Sequence, residues 1–285
     1  MSNLTQRIAT AVVGIPLAFG LIFVGGLPLA LFLGVLAGAG AWELYRIARA
    51  SGVDALDPIG VVAAAAFPMV VHVTRLGWLD RPLAAAGVVF VAVIGIALFA
   101  RTPTERPLES TAVTVLGALY AGATLAFGYS LRHHPWVVGD IPGTVLLLYP
   151  ISVTWATDIG AYAFGRILGK RKLMPTVSPG KTLAGAYGGT ALGIAVGVGY
   201  NVWILRPLSH VALPVAGALA FGLIIALVAQ VGDLAESLFK REGGVKDSSN
   251  LIPGHGGVLD RLDSLYFALP VAYLLLGRLL VPVSG

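Results

Sequence analysis

Apolar runs long enough to cross a bilayer, about 17–25 residues each, follow one another along this chain with short polar breaks between them. They fall at roughly 8–24, 28–46, 59–76, 82–100, 112–131, 144–164, 183–205, 211–231 and 264–282. Only Gly25, Gly26 and Leu27 separate the first two, which predicts a tight helical hairpin. Pro16, Pro68, Pro150, Pro214 and Pro270 fall inside runs, where neighbouring helices can re-satisfy the freed backbone groups. The first run is longer than the roughly 7–15-residue core of a secretion signal, so it is read as structure. The pattern predicts an all-α polytopic membrane protein with about nine transmembrane helices.

Composition supports that reading. Residues of the AVILMFWYC set make up 57% of the 285, with 37 glycines besides, and only 12% are charged. A soluble domain has about 25% charged residues and needs them to cover its surface. The chain has no cysteine, which excludes disulfides and thiolate metal sites within it. The net charge of +5 does not point to nucleic acid, because the basic residues sit in short breaks between runs. With nine crossings and a cytoplasmic N-terminus, 14 of the 19 Lys and Arg residues fall inside. The other five, Arg75, Arg81, Arg132, Arg206 and Arg278, fall outside. This bias predicts a cell (inner) membrane, multi-pass location, with the two most polar breaks in the cytoplasm. Gly185, Gly189, Gly193 and Gly197 line one helix face and predict close internal helix packing rather than a dimer seam. His133-His134 reads as a solvated outer loop.

Candidate chemistry lies in two segments, Asp158 to Thr182 and Gly232 to Asp263, which include the polar loops 165–183 and 232–263. Gly180-Lys181-Thr182 looks like the end of a phosphate-binding P-loop, but the first glycine of that motif falls on Pro175, and no parallel sheet is predicted to hold it. What remains is a lysine and a hydroxyl at a helix start, where free N–H groups suit a phosphate. Lys181 is the better candidate for that contact, while Arg171 and Lys172 read as orientation charges. In the second segment Asp233, Glu236, Ser237 and Lys240 share one face if the eighth run continues as helix. Asp260 and Asp263 lie one turn apart at the start of the last run. Capping alone would explain one of that pair, but not Asp233 and Asp247 as well. An oxygen-only donor set of this kind suits Mg²⁺ or Mn²⁺, shared with substrate phosphates. Asp158, inside a run, is a functional candidate because burying a carboxylate there is expensive; the bland alternative is a helix–helix hydrogen bond.

The stretch Ser237-x-Phe239-Lys240-Arg241-x4-Lys246-Asp247-x-Ser249-x2-Ile252-Pro253-x-His255-Gly256-Gly257-Val258-x-Asp260-Arg261-Leu262-Asp263 resembles the signature of the phosphatidate cytidylyltransferases, also called CDP-diacylglycerol synthases. Asp158-x2-Ala161-Tyr162 and Ser178-Pro179-x-Lys181-Thr182 look like further parts of that family, with Gly180, Leu183 and Ala184 where its usual run has lysine, tryptophan and glutamate. The resemblance implies N-terminal transmembrane helices over 1–140 and a C-terminal transmembrane catalytic region over 141–285, with the active site at the cytoplasmic membrane face. It implies an enzyme that joins CTP to phosphatidic acid, releasing pyrophosphate and leaving CDP-diacylglycerol. On that reading Lys240, Arg241, Lys246 and Arg261 clamp phosphates and His255 donates to one. Ser178, Lys181, Thr182, Ser237, Gly256, Gly257 and Asp158 contact substrate, and Asp233, Asp247, Asp260 and Asp263 hold Mg²⁺. Mn²⁺ or a second cation stay open, as does a homodimer.

Two other readings compete. A CTP-dependent kinase of a lipid alcohol such as a polyprenol has similar needs, but its hydroxyl nucleophile requires a base, for which His255 or an aspartate would serve. An ion-coupled transporter would carry ionisable residues near mid-membrane on several helices, and usually an internal repeat. Here the ionisable residues cluster at one membrane face and no repeat is visible, which favours the enzyme.

Overall fold

A computed structural model describes residues 3–79 and 82–283. Arg81, counted above among the outer cations, lies outside them. Among the described residues the chain forms nine long helices and one short 3-10 turn (Pro103–Glu105): α1 (Asn3–Val24), α2 (Gly26–Ala50), α3 (Asp57–Arg75), α4 (Pro82–Ala100), α5 (Pro107–Arg132), α6 (Asp140–Leu168), α7 (Leu183–Ser209), α8 (Val215–Glu242) and α9 (Leu259–Leu279). Seven of them, α2, α3 and α5–α9, are long and apolar enough to cross a membrane. The other two carry shorter apolar stretches, Thr10–Val24 in α1 and Phe90–Ala100 in α4. The protein is an all-α polytopic membrane protein.

The α1–α2 connection is as short as the sequence demands. Gly25 and Gly26 both take positive φ, 66° and 53°, a region glycine enters without the Cβ penalty. Pro16, Pro68, Pro150 and Pro270 are inside helices, whereas Pro214 stands just before α8 and receives the Ala218 N–H on its carbonyl at 2.8 Å. Two helices widen locally to π geometry, at Ala118–Ala123 in α5 and Asn201–Leu205 in α7. In α7 the Asn201 amide holds both backbone groups of Leu213, at 2.8 and 3.0 Å.

The chain packs as two compact units. The first comprises 1–129 and 239–262, the second 130–238 and 263–285. This differs from the division at 140 expected from the sequence, because the signature segment 239–262 packs with the N-terminal helices rather than with the residues around it in sequence. Within the first unit the buried Tyr45 ring fills the space that a side chain at Gly60 or Gly117 would need, and its hydroxyl donates to Thr114 O at 2.7 Å. Within the second, α6 and α7 meet through small residues. A methyl group at Gly185 or Gly189 would stand 2.6 Å from the carbonyl oxygens of Ala161 and Thr157 respectively. The glycine stripe therefore serves internal packing. His134, expected in solvent, is buried, with its ring edge-on to Tyr273 at 5.4 Å between centroids; an aromatic neighbour offers the ring more contact than water does.

Candidate active site

In the second unit, α6 ends at Leu168 and a short antiparallel hairpin follows, β1 (Lys172–Met174) paired with β2 (Ser178–Thr182). Strand β2 runs directly into α7. Thr182 caps that helix, its hydroxyl oxygen accepting the Gly185 N–H at 3.1 Å. Lys181 thus sits on an ordered strand end rather than in an open loop. Its ammonium pairs with Asp233 of α8 at 2.5 Å. Asp158, Tyr162, Arg166, Gly180, Lys181, Thr182, Gln230 and Asp233 line one cavity of about 420 Å³. Arg166 is steadied by the Tyr162 hydroxyl at 3.0 Å. Asp263, at the unit's entry to α9, lies close enough to Asp158 to repel it electrostatically, as does Asp233, while Lys181 attracts it. The cavity is therefore a chamber with two cations and two carboxylates on its wall and a third carboxylate within electrostatic reach.

In the first unit the polar end of α8 turns back through a loop to α9. Lys240 donates to Asp260 Oδ1 at 2.8 Å, both side chains being largely buried. Asp260 Oδ2 accepts the Ser248 N–H at 3.0 Å and the Gly257 N–H at 2.9 Å, and lies 2.9 Å from the Ser248 hydroxyl oxygen. A metal bound at Asp260 would have to share oxygens already serving these donors. Gly256 has φ +83°, and a methyl group at Gly257 would overlap the Ser248 hydroxyl, so neither glycine is replaceable in this turn. The His255 N–H bonds Ile252 O at 2.9 Å. Arg241, Lys246, Asp247 and Arg261 are exposed. Lys246 and Asp247 share with Trp42, Arg46 and Asn250 the lining of a second cavity, of about 630 Å³, where the Arg46 guanidinium lies 4.9 Å from the Trp42 ring centroid.

Of the residues expected at the site, the second unit brings together Asp158, Lys181, Thr182 and Asp233, with Asp263 near them. Ser178 begins β2 opposite Met174, and Ser237 is buried on α8. The first unit brings together Lys240, Asp260, Gly256 and Gly257 in one ordered turn. Among the described residues no three His, Asp or Glu side chains stand ready as a metal cage. Gln230, Trp42, Arg46 and Glu43 line or support these sites and were missed by the sequence reading, and Arg166, which lies in the first polar segment, was given no site role there. Glu43 had a readable signal: it is an ionisable residue in an apolar run, the same argument that singled out Asp158.

Over residues 5–279 the chain matches the model of the cytidylyltransferase family. The chain belongs to that family. It is 38% identical to the phosphatidate cytidylyltransferase of Pseudomonas aeruginosa, covering 94% of this chain and 95% of that one. It is 31% identical to the phosphatidate cytidylyltransferase of Bacillus subtilis, over 97% and 98% of the two chains. The family match runs through both units, so the N-terminal helices belong to the family architecture as much as the signature does.

Proposed function

We propose that this protein is a phosphatidate cytidylyltransferase, forming CDP-diacylglycerol and pyrophosphate from CTP and phosphatidic acid at the cytoplasmic face of the cell membrane. The observation that carries the proposal is the full-length similarity to enzymes of that name, joined to a chamber of paired cations and carboxylates among membrane-spanning helices. A phosphate oxygen of phosphatidate attacks the α-phosphorus of CTP. The bond from that phosphorus to the oxygen bridging to the β-phosphate breaks, and pyrophosphate leaves with the electron pair. A phosphate monoester is mostly ionised near pH 7, so no strong general base is needed. That leaves the protein to position the reactants and neutralise charge. Lys181 and Arg166 on the chamber wall supply cations for phosphate oxygens, and Lys181 can exchange its Asp233 partner for one. In the first unit Lys246 and Arg46 offer a second pair of cations beside an aromatic face.

The donors fit Mg²⁺. They are hard carboxylate oxygens, and Mg²⁺ keeps several waters and needs only one or two carboxylates plus substrate phosphates, so a ready-made cage is not required. Asp233 and Asp263, with Asp158 beside them, would hold it, and bound there it would neutralise charge on the triphosphate and on leaving pyrophosphate. Asp260, engaged by Lys240, Ser248 and Gly257, orders the signature turn, and Asp247 faces the other cavity.

The test is direct. Detergent-purified protein given CTP labelled in the cytidine, Mg²⁺ and phosphatidic acid should carry label into the organic phase and release pyrophosphate. Label that stays aqueous with phosphatidic acid, together with γ-phosphate transfer to a polyprenol, would replace this reading by the lipid-kinase one.

A further inference from the structure

Glu43 stands in α2, far from the signature in sequence, and is fully buried. Its two carboxylate oxygens take four hydrogen bonds, all from the segment 248–259. Oε1 accepts the Ser249 hydroxyl at 2.5 Å and the Val258 N–H at 3.0 Å. Oε2 accepts the Ser248 hydroxyl at 3.0 Å and the Leu259 N–H at 2.6 Å. A carboxylate has about four lone-pair sites, so this one is saturated. Two of the donors are the free N–H groups at the start of α9, which has no partner for them within itself. The other two are hydroxyls at the opposite end of the loop. One side chain therefore ties both ends of the loop to α2 at once.

The same carboxylate explains a glycine. A methyl group at Gly257 would stand 2.6 Å from each Glu43 oxygen, so the loop closes on Glu43 only if residue 257 has no side chain. The tie also reaches further. Ser248 lies between Glu43 and Asp260, its hydroxyl donating to Glu43 and its N–H to Asp260 Oδ2 at 3.0 Å, and Asp260 in turn holds the Lys240 ammonium at 2.8 Å. With all its acceptor sites filled by protein donors, Glu43 itself is not available to a metal or to substrate.

We propose that Glu43 is a positioning residue of the cytidylyltransferase reaction. It sets the shape of the Ser248–Leu259 loop and, through Ser248 and Asp260, the place of Lys240. The proposal rests on the functional reading above. Gln at 43 keeps the volume but turns one acceptor into an NH2 donor that must face an N–H or hydroxyl donor. Misplacement of a site by about 1 Å costs on the order of 100-fold in rate. Glu43→Gln should therefore lower kcat by about that factor, with smaller change in KM for CTP, and Glu43→Asp should recover part of it. The loop should also open: trypsin should cut at Lys246 and Arg261 faster than in wild type. Because a buried substitution can unfold a protein, Ser248→Ala/Ser249→Ala forms a second arm that leaves Glu43 in place and removes two of its donors. It should lower kcat in the same direction and expose the same cleavage sites. Wild-type kcat and wild-type tryptic cleavage in the folded serine variant would overturn the proposal. So would a Glu43→Gln variant whose kcat, per folded molecule by size exclusion, equals wild type. If wild type itself makes no CDP-diacylglycerol, the functional reading fails, while the cleavage comparison still decides whether Glu43 holds the loop.

Discussion

Lys181 is the residue whose removal tests the second-unit chamber most simply. A hydrogen bond to a charged group contributes about 1.5–3 kcal/mol, so Lys181→Ala should lower kcat/KM by roughly 10- to 150-fold. Lys172→Ala, an exposed hairpin position, should change little, and equal activities in the two would remove the special role of Lys181. Asp260 and Asp263 are one turn apart on α9 yet should fail differently. Asp260→Asn removes one partner of a largely buried ion pair, a loss that costs about 3–5 kcal/mol where burial is complete. It should therefore lower both turnover and the thermal midpoint. Asp263→Asn should keep the midpoint and instead move the Mg²⁺ dependence of activity to higher metal. An unshifted Mg²⁺ curve with normal turnover in Asp263→Asn would sink its assignment as a donor.

Among elements, the β2–α7 junction and the α6–α7 seam carry most of what positions Lys181. Thr182→Ala takes away the cap of α7 and should cost about 1 kcal/mol of stability, read as a lower denaturation midpoint. Gly189→Leu puts a side chain where a methyl group already stands 2.6 Å from Thr157 O, and overpacking of this kind costs about 1–3 kcal/mol or more. A Gly189→Leu protein as stable as wild type would mean that the seam is looser than the structure has it. The helices themselves were legible in the chain, since each run of apolar residues became one, and the condition on which Asp233, Glu236, Ser237 and Lys240 share a face is met, because α8 continues to Glu242. The β hairpin was not legible. Its strands are three and five residues long, rich in Lys, Pro and Gly, and their pairing depends on the neighbouring helix ends rather than on any local alternation.

For the whole molecule, sidedness is the open quantity with the cleanest experiment. The chain has no cysteine, so single cysteines report without background. Placed at 174 and 249, they should react with an impermeant thiol reagent only after the cytoplasmic side is opened. One at 139 should react in sealed cells. Labelling at 249 in sealed cells would overturn the cytoplasmic placement of the signature.

Bilayer physics let the sequence alone determine the class. So few charges with so many apolar runs have no soluble solution, and each run must satisfy its own backbone as helix. The signature segment was also readable, because Lys, Arg and Asp stand out in a chain whose apolar runs otherwise exclude them. Which of those residues meet was not readable. Segment 239–262 packs with the N-terminal helices and Asp158 and Lys181 share a chamber with Asp233, and both depend on distances between residues far apart in sequence. Glu43 shows why. A carboxylate can be buried only when donors saturate it, and its donors come from a loop some two hundred residues away, at separations of 205 to 216. Only the folded chain brings the two together.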